Sequence, residues 1–237
     1  MKSTISKAVR LATLGLTAAG AMAISQTTMA EVDVSASAGV ASAYLFRGVD
    51  LGAGNAAVFG DITASSGGAY ASVWASSGDA GLGSEYDLIL GYGLEMGDFS
   101  VDAGLVNYVY PSNDDYDSIG QFTEAYVNLG FKMIGFSYYN NVSDQAKGDA
   151  IGAEGYEYYS LSGDVGSFSA LVGYADPEEE SGSKVDLDYT HIDLSYAYND
   201  SLSFTASKIV DFDDDSTPNA GIDDDLLFVV SYSLPIK

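Results

Sequence analysis

Val32-Asp33-Val34-Ser35-Ala36-Ser37-Ala38-Gly39-Val40 alternates apolar and polar residues without a break. A period of two is the signature of a strand with one apolar face and one polar face, since successive side chains point to opposite sides. Continued onward, the alternation puts Tyr44 and Phe46 with the valines and Arg47 with Asp33, Ser35, Ser37 and Gly39. The pattern then recurs to the end of the chain. Tyr86, Leu88, Leu90, Tyr92 and Leu94 share a face, as do Leu226, Phe228, Val230, Tyr232 and Leu234.

Twelve such segments are predicted: 32–46, 56–64, 69–76, 85–94, 99–110, 121–130, 133–140, 156–162, 167–175, 187–198, 202–210 and 225–235. Phe122 falls on the wrong face of its own segment, opposite Ala125, Val127 and Leu129. Short connectors such as Ser65-Ser66-Gly67-Gly68 and Glu95-Met96-Gly97-Asp98 carry the residues that tight hairpins need. They alternate strictly with longer ones at 47–55, 77–84, 111–120, 141–155, 176–186 and 211–224. Alternating strands, with short turns on one rim and long loops on the other, predict an all-β, antiparallel, up-and-down transmembrane β-barrel of about twelve strands. An even count leaves both ends of the barrel on the short-turn side.

The first thirty residues read differently. Lys2, Lys7 and Arg10 precede an apolar stretch, Leu11 to Ile24, and Thr28-Met29-Ala30 is a small-residue cleavage site. This is the layout of a Sec signal peptide, so the expected organisation is a signal at 1–30 and an outer-membrane barrel at 31–237.

The chain has 34 acidic and nine basic residues. Without the three basic residues of the signal the balance is −28, which excludes nucleic acid as a partner and favours cations. There is no cysteine, one histidine and one tryptophan, so thiol chemistry is absent and other catalytic parts are scarce. His191, Asp193 and Ser195 share a face, but residues four apart on a strand lie about 13 Å from each other, too far for a relay. No enzyme and no cofactor are expected.

Arg47 stands out. It is expected at the lumen or its outer mouth, either as a lone cation that shapes a constriction or paired with a carboxylate such as Asp61. The polar-face acids Asp33, Asp61, Asp87, Asp102 and Asp193 are candidates to line a cation-favouring path. Asp211, Asp213 and Asp215 have the first spacings of a calcium loop, but Ser216 stands where its glycine belongs and Ile222 where its glutamate belongs. Trp74, Tyr108, Tyr110, Tyr138 and Tyr139 are expected as interfacial anchors.

The stretch Ser42-Ala43-Tyr44-Leu45-Phe46-Arg47-Gly48-Val49, followed by Gly60-Asp61 and Trp74-Ala75-Ser76, resembles the opening signature of the TorF porin family. The match in motif covers about residues 38–92. The resemblance implies an outer-membrane barrel that passes small solutes. The expected function is therefore passive diffusion of small, cationic or neutral solutes, with outer-membrane lipid and lipopolysaccharide as surroundings. A closed barrel whose acidic loops serve adhesion, divalent-ion binding or envelope stability is the alternative. Monomer and homo-oligomer both stay open.

Overall fold

A computed structural model describes residues 31–143, 155–177, 188–212 and 223–236. The expected signal peptide lies outside the described residues, as do Asp213 and Asp215.

In chain order the strands are β1 (Asp33–Ala41), β2 (Leu45–Phe46), β3 (Val49–Asp50), β4 (Ala57–Ser66), β5 (Ala69–Asp79), β6 (Gly83–Met96) and β7 (Phe99–Val109). They continue with β8 (Thr123–Phe131), β9 (Ile134–Asn141), β10 (Glu157–Val165), β11 (Phe168–Asp176), β12 (Tyr189–Ala197), β13 (Leu202–Phe212) and β14 (Leu227–Ile236). Twelve of them form one closed antiparallel barrel, in which each strand pairs with its neighbours in sequence and β1 closes on β14. The remaining two, β2 and β3, form a separate miniature hairpin. Closure leaves no edge strand, which is how a sheet satisfies all its backbone groups in hydrocarbon.

The alternation becomes an inside and an outside. Val34, Val58, Ile62, Leu90, Leu105 and Leu194 stand exposed on the exterior. Aromatic residues border this apolar band on both sides. Near the short turns, Phe99 meets Phe131 at 4.5 Å between ring centroids and Phe168 meets Tyr196 at 4.9 Å. Near the long-loop rim, Tyr138, Tyr159 and Tyr174 form a row at 5.0 and 6.4 Å. Phe168 and Tyr174 are six residues apart on β11, or about 20 Å along the strand. Two aromatic belts about an apolar band are the exterior of a lipid-facing barrel.

Three expectations need correction. The first strand stops at Ala41 rather than running to 46. Ser42 still donates its backbone N–H to Val230 of β14, and the chain then turns into the barrel. The expected long connector at 77–84 is only the three residues between Asp79 and Gly83. Four of the expected anchors, Trp74, Tyr108, Tyr110 and Tyr139, belong to the inward face. Tyr108 and Tyr110 are almost completely buried, and Trp74 packs on buried Tyr44 at 6.0 Å. Tyr138 does lie on the exterior. Phe122 just precedes β8 and continues its inward face, its ring tilted against that of Tyr108 at 4.4 Å between centroids, so its parity marks the lumen.

Candidate functional site

The lumen has two unlike halves. From the short-turn rim to mid-height most inward residues are small or polar, including Ser37, Asp61, Asp102, Asn128, Ser137 and Ser162, all half-buried, with the buried Tyr70 ring as a large exception that packs over Gly91 and donates to Asp102. Above mid-height the inward residues are buried, and many are large. The difference is made by residues 42–52, which fold into the barrel as a hairpin.

Leu45 pairs with Asp50 and Phe46 with Val49, leaving Arg47 and Gly48 at the tip with φ of 48° and 87°. Two central residues at positive φ are what a type I′ turn requires. An arginine in that conformation carries strain of about 1–3 kcal/mol, and surrounding contacts must hold it there. Gly48 is needed both for its φ and for space, because a Cβ there would lie 2.6 Å from the Cβ and Cγ of His191. Asp50 fixes the return path by accepting the backbone N–H groups of Gly52 at 3.0 Å and Gly54 at 2.7 Å.

Arg47 is the centre of this packing. Its guanidinium donates two parallel hydrogen bonds to Glu124 of β8, at 2.8 and 2.6 Å. The rings of Phe46, Tyr139, Tyr156 and Tyr158 surround it, with centroids 4.5–5.2 Å from the guanidinium carbon. Tyr108 also donates to Glu124, at 2.8 Å. A bidentate pair inside an aromatic cage is the geometry in which a buried arginine is best compensated. Arg47 therefore lies within the upper lumen as one half of an ion pair. Its partner is Glu124 and not Asp61.

A second acidic group lies nearby on β6. Glu85 accepts hydrogen bonds from the hydroxyls of Tyr44 and Tyr110, the latter at 2.9 Å. Asp87, next on the same face, is fully buried and receives no hydrogen bond at either oxygen.

The other expected lumen acids all lie on inward faces, and Asp61, Asp102 and Asp193 each have their own partners. Asp33 is exposed at the short-turn rim. Asp61 accepts from the Ser37 hydroxyl across the β1–β4 pair. Asp102 accepts from Tyr70 at 2.9 Å and Asn128 at 3.2 Å. Asp193 bonds His191 Nδ1 at 3.0 Å and accepts from Ser207 at 2.6 Å. His191 Nε2 in turn contacts the Tyr158 hydroxyl at 3.0 Å, whereas Ser195 pairs with Thr205 at 2.9 Å. The His–Asp pair is thus built into the packing beneath the hairpin, with Ser195 turned to another strand.

Asp211 is exposed at the end of β13. Among the described residues, the three carboxylates that come within 4.8 Å of one another are Asp223, Asp224 and Asp225, all exposed. Glu85, Glu124 and Tyr44 are the site residues that sequence reasoning missed. Parity was the available signal, since Glu85 precedes Asp87 by two and Glu124 follows Phe122 by two.

Fold and lumen together define the class: a twelve-stranded antiparallel barrel, apolar outside and polar inside, with part of its own chain folded into the upper lumen. Its family follows from the sequence. The chain belongs to the Gcw_chp family, described as bacterial proteins of unknown function, which matches residues 25–228. No curated protein matches this chain. Among solved structures it is similar to the NanC porin, at 12% identity and a TM-score of 0.42, covering 86% of this chain and 98% of that one. It is also similar to OprD of Pseudomonas aeruginosa, at 14% identity and a TM-score of 0.37, covering 87% and 67%.

Proposed function

We propose that this protein is a porin-like channel of the bacterial outer membrane that passes small, cationic or neutral solutes by diffusion, without catalysis, through a lumen narrowed by the Arg47 hairpin. The observation that carries this reading is the lower lumen. A barrel that served only as an anchor would be filled by side chains throughout. Here much of the lower interior is lined by serines, glycines and carboxylates that remain partly exposed, around a buried Tyr70. The lipid-type exterior and the TorF-type signature around Arg47 support the same reading. Acids outnumber bases on the inward faces, so a conducting path would favour cations.

The hairpin itself favours a second reading. Tyr44, Leu45 and Val49 are nearly inaccessible; Leu51, Leu82 and Tyr116 pack over the cluster that holds Val49, and Leu51, Trp74 and Leu227 over the one that holds Tyr44 and Leu45. A barrel held in this state would be closed, and its acidic loops would be its working surface.

Planar-bilayer recording separates the two. The channel reading expects small stepwise openings, a reversal potential in a KCl gradient on the cation side, and a larger conductance for Arg47→Ala. Silence from both proteins, each shown to be folded in the membrane, would overturn it in favour of the closed barrel.

A further inference from the structure

Five carboxylates are buried among the described residues, Asp79, Glu85, Asp87, Glu124 and Asp193; Asp79 accepts the backbone N–H groups of Gly81 and Leu82, and Asp193 is paired with His191. Arg47 is the one arginine or lysine among them, and its fork is occupied by Glu124. Among the described residues, Lys132 and Lys208 are exposed and His191 is paired with Asp193. Among the described residues, Glu85 and Asp87 therefore have no cationic partner for their two formal negative charges. The Asp87 carboxyl is in side-chain contact with that of Glu85, and Glu124 is a further acidic neighbour. Buried charges are paired or coordinate metals, because an isolated carboxylate in a low-dielectric interior costs far more than the fold can supply.

We propose that Glu85 and Asp87 form an interior binding site for a hard divalent cation, with Ca²⁺ the fitting example. The two side chains stand on one face of β6, about 7 Å apart at the backbone. That is a separation a single ion can bridge, because both side chains converge into the lumen. Trp74 and Tyr108 flank Asp87 on the neighbouring strands, and Ser76 flanks Glu85. The available donors are carboxylate and hydroxyl oxygens, with no sulfur or imidazole, which selects hard cations. Two carboxylates match a divalent charge in one step. The unsatisfied oxygens of Asp87 are the observation that distinguishes this pair from the exposed Asp223-Asp224-Asp225 group, which water already solvates. The site stands whether or not the barrel conducts.

The test is equilibrium dialysis of the refolded full barrel against ⁴⁵Ca²⁺, in a background carrying Asp223→Asn, Asp224→Asn and Asp225→Asn. One saturable Ca²⁺ per barrel is expected in this background, and its loss on adding Asp87→Asn. Chelator should lower the urea midpoint of the parent and leave that of Asp87→Asn unchanged. Asp87→Asn relieves a like-charge pair and keeps the shape, so folding is preserved, and Glu85→Gln provides an independent second variant. Equal Ca²⁺ binding with and without Asp87→Asn would overturn the proposal. So would an infrared band of a protonated carboxyl that disappears in Asp87→Asn while no saturable Ca²⁺ is bound, since the pair would then be sharing a proton.

Discussion

Arg47 and Glu124, 77 positions apart in the chain, meet in the upper lumen through two hydrogen bonds of 2.8 and 2.6 Å. The pair connects the tip of an inserted hairpin to the opposite wall of the barrel. Removing one member strands the other in the interior, which costs about 3–5 kcal/mol for a buried pair. Glu124→Gln is therefore expected to lower unfolding stability by that amount, read as a urea midpoint in lipid vesicles. The double variant Arg47→Met/Glu124→Leu should recover most of the loss. A double variant no more stable than Glu124→Gln would mean that the charge itself, and not the filling of the space, holds the hairpin.

Gly48 makes a separate demand. Gly48→Ala places a Cβ against His191 and puts an L residue at a φ of 87°. The loss should clearly exceed the roughly 1 kcal/mol typical of a strained backbone alone. Gly54 is the control. Its φ is 82°, but nothing lies within 4 Å of an added Cβ, so Gly54→Ala should show only the backbone effect. Equal losses at the two positions would remove His191 from the account.

Trp74 offers a fluorescence test of the inward face. It is the chain's one tryptophan, and it packs on Tyr44 within the barrel. Lipids brominated in the acyl chain should leave its emission almost unquenched. Deep quenching would put the indole on the lipid side, where the sequence pattern had expected it.

The apolar band can be probed with a single charge. Leu90 is 63% exposed midway along β6, between Ala71 and Leu105 on the adjacent strands. Leu90→Arg should cost about 2–4 kcal/mol, and Phe168→Arg in the lower belt about 0–1 kcal/mol. Equal costs at the two depths would contradict the placement of the band.

Much of this architecture is legible from alternation alone, because lipid selects every second residue along a strand. Leu90, Leu105 and Phe228 could be read as exterior directly. Alternation fails where apolar residues serve the interior. Tyr44 and Phe46 have the parity of the lipid face and the composition of a strand, yet they fill the lumen. Their local warning is Leu45-Phe46-Arg47-Gly48-Val49, where adjacent apolar residues break the period and Arg-Gly occupies the place of a two-residue turn. The Arg47–Glu124 contact has no such local sign, since it depends on the closure and curvature of the whole sheet. Asp61 was a reasonable partner by proximity in sequence. It lies in the lower lumen, however, tied to Ser37, while the hairpin points into the upper half.

The hairpin leaves the wall between β1 and β4, and β1 is the strand that seals the barrel against β14. The joint between the first and last strands is thus made by the strand from which the internal segment hangs. A seam zipped in a shifted register would carry the hairpin up or down by the same step and pull Arg47 off the Glu124 carboxylate. It would also drive the Gly48 tip out of its fit on His191. The inserted segment therefore works as a gauge for ring closure. Only the ring in which β1 meets β14 with Val40 opposite Tyr232 brings the two halves of the ion pair together, so the chain's own interior reports whether its first and last strands have been joined correctly.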